Sequence, residues 1–152
     1  AAAAQGAAPG QLLHIGTHFV LRPGQVARSW LLLGDGERLP LARLRSLPLG
    51  TPRLVTLSAC ETAVSDTGGG NGREVDGLAA SLLDNGAQQV LASLWRVDDR
   101  ATARFMQRFY RAYVQQRGDA AAALQAAQRA SVAEGAPARH WAAFVLMAPA
   151  PG

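Results

Sequence analysis

Three short apolar runs, each ending in a small polar or aromatic residue, constrain this chain most. Leu12-Leu13-His14-Ile15-Gly16, Arg53-Leu54-Val55-Thr56-Leu57-Ser58 and Gln89-Val90-Leu91-Ala92-Ser93-Leu94-Trp95 are too short for buried helices and too continuously apolar for strands wetted on one face. They read as buried strands. Between and after them the periodicity changes to that of helices. Leu41, Leu44 and Leu47 give a short helix that stops at Pro48. Glu74 to Asn85 carries Val75, Leu78, Ala79, Leu82 and Leu83 on one face, with Gly86 as its C-cap. Asp98 or Asp99 caps a helix running to about Gln116, with Phe105, Phe109, Ala112 and Tyr113 as its apolar stripe. Gly118-Asp119 breaks it, and an Ala-rich helix follows to about Ala133. Trp141 to Met147 is a last strand candidate. Strands alternating with helices imply an α/β fold: a mostly parallel sheet with helices on both faces.

The interruptions are informative too. Trp30-Leu31-Leu32-Leu33, Gly34-Asp35-Gly36 and Glu37-Arg38-Leu39 spell a β-hairpin with a Gly/Asp turn. Residues 1–10 are small and of low complexity and read as a linker from an upstream domain. Residues 11–149 form the domain and 150–152 a tail. Asp66 to Gly72 is a loop rich in Gly.

Ligands of parallel sheets sit at the carboxyl ends of the strands. His18, Cys60 and Trp95 all fall at such ends. Cys60 is the sole cysteine, so an internal disulfide is excluded and a free thiol in a reducing, cytoplasmic setting is expected. A thiol needs a base to become an efficient nucleophile, and a histidine is the usual partner. His18 lies 42 positions before Cys60, and only a sheet can bring the two together. The bland readings are packing for Cys60 and a structural role for His18. His14, inside its strand, reads as a hydrogen-bonded core histidine.

Charge adds little. The net charge is +4 and all fifteen basic residues are Arg, which with the abundant Ala and Gly points to the codon bias of a GC-rich bacterial genome. There is no zinc-ligand spacing, no aromatic-basic interleaving and no basic tail, so neither a metal nor a nucleic-acid partner is expected. No apolar run reaches the ~18–20 residues that span a bilayer, so no membrane partner is expected. Arg100, Arg104, Arg108 and Arg111 share one helix face, which reads as solvated. No Gly-x-Gly-x-x-Gly follows a strand and no Walker-type Lys exists, which weighs against a nucleotide- or small-molecule-binding domain.

Longer strings narrow the field. Leu-His-Ile-Gly-Thr-His (13–18 with its leading Leu), Leu-Val-Thr-Leu-Ser-Ala-Cys-Glu-Thr-Ala (54–63), Asn-Gly-Arg-Glu-Val-Asp-Gly-Leu-Ala (71–79) and Gly-Ala-Gln-Gln-Val-Leu-Ala-Ser-Leu-Trp-Arg-Val-Asp-Asp (86–99) resemble the CHAT family of caspase-like peptidases. Phe-Met-Gln-Arg-Phe-Tyr (105–110) and the tail His-Trp-Ala-Ala-Phe-Val-Leu-Met (140–147) do so as well, in family order. The resemblance implies a caspase-hemoglobinase-like fold and a cysteine endopeptidase that needs no cofactor. It implies Cys60 as nucleophile, His18 as base, and an oxyanion hole from the backbone N–H groups of Cys60 and Phe19. It also implies a substrate pocket lined by Ser58, with Trp95 as a wall for the substrate backbone. Asp98 and Asp99 would favour a basic residue before the scissile bond. Glu61 and Thr62 are typical of the family, and the loop around Gly68 to Gly70 resembles the mobile loop beside caspase active sites.

The expected partners are a protein or peptide substrate and an upstream repeat or regulatory domain. The family's domain normally has further strands and helices before the His-bearing strand, so N-terminal elements are expected to be missing ahead of Leu12. The resemblance suggests regulated proteolysis in bacterial defence or cell-death signalling, by analogy. One departure stands out: Phe19 occupies the place where the family has Gly after its histidine. Gly permits backbone conformations that Phe resists, which keeps a second reading open, a catalytically weak or inactive pseudo-peptidase that binds a protein partner.

Overall fold

A computed structural model of the chain describes residues 10–20, 22, 25, 28–44, 46–58 and 73–149, without the side chains of 73 and 74. Four strands, β1 (Leu12–Ile15), β5 (Leu54–Leu57), β6 (Val90–Ser93) and β7 (Phe144–Met147), form one sheet in the order β1-β5-β6-β7. The first three run parallel and β7 closes antiparallel to β6. The two central strands are buried at every position, as expected of strands covered on both faces.

Side-chain alternation divides the core in two. Val55, Leu57, Val90 and Ala92 face α2 (Arg73–Asp84) and α1 (Leu41–Leu44), packing with Val75, Leu78, Ala79 and Leu82. Leu54, Leu91 and Phe144 face α3 (Asp99–Gln115) and α4 (Ala120–Ala133), packing with Phe105, Phe109 and the buried alanines of α4. Phe105 stacks on Phe144 with centroids 4.1 Å apart and planes 7° from parallel. Helices thus cover both faces, as the alternation of periods requires.

A second sheet of three antiparallel strands, β2 (Phe19–Val20), β3 (Trp30–Leu32) and β4 (Arg38–Pro40), leaves the first after β1. The hairpin falls where the Gly34-Asp35-Gly36 turn places it. Gly36 has φ +85°, and Leu33 and Glu37 close the turn by a 2.8 Å backbone bond. The expected strand Trp141–Met147 is shorter, because Trp141 ends a one-turn helix, α5 (Ala138–Trp141), and pairing with β6 begins only at Phe144. The helix expected over Leu41–Leu47 ends at Leu44. Asn85 ties down the stretch that follows, its Nδ2 donating to Leu44 O at 3.1 Å and Leu47 O at 2.7 Å. Gly86 caps α2 as anticipated: at φ +102° it turns the chain so that Ala87 N–H reaches Leu82 O at 3.0 Å.

Candidate active site

β1 and β5 are adjacent, parallel and in register, with His14 opposite Thr56 and Ile15 opposite Leu57. Whatever follows the two strands therefore leaves the same end of the sheet side by side. After β1 come Gly16, Thr17 and His18. After β5 comes Ser58, whose N–H donates to Ile15 O at 3.2 Å. Cys60, Glu61, Thr62 and the Gly68–Gly70 loop lie outside the described residues.

His18 is exposed, at the point where the chain turns into the second sheet. Its carbonyl accepts from Leu32 N–H at 3.0 Å, and Thr17 Oγ1 donates to the Leu32 carbonyl. The bond between 18 and 32 makes the neighbouring Phe19–Leu31 pair a non-hydrogen-bonded one, so the Phe19 N–H points away from β3. The Phe19 ring goes the other way in environment. It is fully buried in the core with Leu31 and the α2 side of the sheet. A phenylalanine after His18 is thus accommodated as a core residue and does not occupy the exposed end of the strands.

The other face of the same strands carries a hydrogen-bond chain. Ser58 Oγ is 2.6 Å from His14 Nε2. His14 Nδ1 is 2.7 Å from the Tyr110 hydroxyl, which donates to Thr56 Oγ1 at 2.8 Å. Register explains it: His14, Thr56 and Ser58 all point toward α3, from which Tyr110 reaches across. His14 is therefore hydrogen-bonded as expected but is not a core histidine. It sits on β1 at the sheet's edge among the described strands, with its side chain exposed. The burial it does have pushes its pKa below the ordinary imidazole value. Burial likewise raises that of Tyr110, so both groups are neutral near pH 7. Tyr110 escaped the sequence reading because it follows Phe109 directly and lies beside the apolar stripe. Its pattern of apolar body and polar tip is the one available signal.

Trp95 lies past the end of β6, 39 % exposed, with its indole N–H donating to Arg139 O of α5 at 3.0 Å. The ring is thus exposed and held by its edge. Asp98 is the N-cap of α3, its Oδ1 accepting from Arg100 N–H at 3.0 Å and Ala101 N–H at 3.1 Å. Asp99 is exposed in the first turn. The arginine stripe is not uniformly solvated, contrary to expectation. Arg108 is half-buried, pairs with Glu134 and donates to Ser131 Oγ at 3.0 Å, tying α3 to α4. With Arg104, His140 and Trp141 it lines a cavity of about 260 Å³. Among the described residues no group of three His, Cys, Asp or Glu side chains is placed to hold a metal, and no helix is long and apolar enough to cross a membrane.

What the structure describes is an α/β domain in which the adjacent parallel strands β1 and β5 lead, at one end of the sheet, into His18 and Ser58. Residues 2–149 match the CHAT domain family, and the chain belongs to it. That family is related to caspase-like proteases. No curated protein matches the sequence.

Proposed function

We propose that this domain is a cysteine endopeptidase of caspase-like type, with Cys60 as nucleophile and His18 as its base. The observation that carries the reading is the in-register parallel pairing of β1 with β5, in a chain that belongs to the CHAT family. His18 takes the thiol proton, and the Cys60 sulfur attacks the scissile carbonyl carbon. The resulting oxyanion is met by the backbone N–H groups of Cys60 and Phe19; the orientation of the Phe19 N–H away from β3 suits that task. The imidazolium then protonates the leaving amine, and the C–N bond breaks to leave a thioester. A water deprotonated by His18 hydrolyses the thioester and restores the thiol. Ser58 lines the pocket for the residue before the scissile bond, and Trp95 flanks the substrate backbone. Asp98 and Asp99 favour a basic residue at that position. With Asp98 Oδ1 engaged by two N–H groups, Asp99 is the freer carboxylate.

Labelling by a peptide carrying a thiol-reactive electrophile tests the dyad. The wild type is expected to label, Cys60→Ala not at all, and His18→Ala at least about 100-fold more slowly, the scale of general-base assistance. Equal rates for the wild type and His18→Ala would remove His18 from the mechanism. A wild type that labels no faster than a free thiol would favour the pseudo-peptidase reading, for which the buried Phe19 ring gives no support.

A further inference from the structure

The chain Ser58–His14–Tyr110–Thr56 has three short hydrogen bonds and, with a neutral imidazole, three protons to fill them if Thr56 only accepts. With Tyr110 as the donor to Thr56, that count sets the other two directions. Tyr110 spends its single hydroxyl proton on Thr56 Oγ1, so toward His14 its oxygen can only accept. The proton between them must then be the Nδ1–H of His14. Nε2 is left bare, and the 2.6 Å contact to Ser58 Oγ is made by the serine's own proton. Burial, which holds His14 neutral, keeps the arrangement in place at neutral pH.

We propose that His14 and Tyr110 are positioning residues that fix the polarity of Ser58, leaving its oxygen as an acceptor for a hydrogen-bond-donating substrate side chain before the scissile bond. The inference rests on the peptidase reading above and on Ser58 lining that pocket. It goes further in naming what the pocket selects and which residues impose it. A lone serine hydroxyl accepts or donates as its ligand requires; here the donor is already spent. Side chains that donate, Arg, Lys and Gln, are matched, whereas Met offers no donor and Glu presents lone pairs to lone pairs. Gly16 keeps the approach open. A Cβ built there would lie 3.4 Å from both His14 Nε2 and Ser58 Oγ, in contact with the pair it now leaves uncovered. Selection by this route needs neither Asp98 nor Asp99, and it extends to the uncharged Gln.

The test uses the full chain and a set of peptides identical except for Gln, Met, Arg or Glu before the scissile bond. For the wild type, kcat/KM is expected to be about 3- to 10-fold higher for Gln than for Met, the scale of one neutral hydrogen bond in a half-exposed site. Ser58→Ala and Tyr110→Phe are each expected to bring the Gln:Met ratio toward one. The ratio is the readout, because a purely structural defect lowers all four substrates together. Independently, nitrogen chemical shifts of His14 should report the Nδ1–H tautomer in the wild type. An Nε2–H tautomer, or a Gln:Met ratio that survives Ser58→Ala, would overturn the inference and leave the peptidase reading standing. If no peptide is cleaved and Cys60 shows no enhanced labelling, the peptidase reading falls and the inference falls with it.

Discussion

His14 ties the site to pH. Its described hydrogen-bond and ring partners, Ser58 after β5 and Tyr110 from α3, are uncharged near neutrality, and desolvation depresses its pKa. The unfolded chain, with an ordinary histidine near 6.5, takes up a proton at a higher pH than the folded one. Between those two values the unfolded state binds more protons, and stability rises with pH. The stability that the neutral His14 contributes is thus fully present above about pH 6.5 and lost as the pH falls through the lower folded value. Urea unfolding of the wild type and His14→Gln should show the widest gap near pH 7.5 and a narrower one by pH 5. A gap that stays constant across this range would mean that His14 titrates alike in both states. That His14 is hydrogen-bonded was readable from a polar residue inside an apolar run. That its own side chain is exposed was not, because an apolar run looks the same on a strand buried throughout and on one half-buried. Its bond to Tyr110 joins residues 96 positions apart, and no local pattern reports such a pairing.

Caps and turns were legible at the level of elements because their chemistry is local. Asp98, Asp119 and Gly86 each sit where an orphaned backbone group or a positive φ calls for that residue type. The two aspartates before α3 separate cleanly: Asp98→Ala should cost about 1 kcal/mol by removing the acceptor of two N–H groups, and Asp99→Ala no more than about 0.5 kcal/mol. Chemical denaturation of both variants measures the difference, and equal losses would deny Asp98 its role. Gly86→Ala should be worse than Asp98→Ala, since the new Cβ would meet Gly50 O at 2.6 Å in a left-handed backbone. What local reading missed has a common cause. β2 is only two residues long, below any periodic signal, and exists because β3 is there to receive it. The run from Trp141 to Met147 looked like one strand because apolar content alone does not separate a helical turn from an extended segment. Pro137, at the N-cap of α5, was the sign that the chain turns before it extends.

The molecule as a whole places its candidate site across two cores. Phe19, which follows the proposed base, belongs to the core that α2 completes, while Tyr110, which orients Ser58, stands on the helix that completes the other. The same strands supply both, residue by residue, so neither core can loosen without disturbing the strand ends that they share. Leu82→Ala on the α2 side and Phe109→Ala on the α3 side should each cost several kcal/mol, about 2–5 and 3–5 respectively, as fully buried side chains. Losses of this size approach the whole stability of an ordinary domain, so the experiment is best run on the milder Leu82→Val and Phe109→Leu. In either variant, thermal loss of Cys60 labelling and loss of far-ultraviolet circular dichroism should fall at one midpoint, lowered relative to the wild type. Coincidence is what a site built from alternate residues of shared strands demands. If Leu82→Val lost labelling well below the temperature at which its secondary structure melts, while Phe109→Leu did not, the α2 face would be a separately melting unit. The site would then depend on one layer of the sheet, and the role given to Tyr110 across the other would have to rest on the specificity ratio alone.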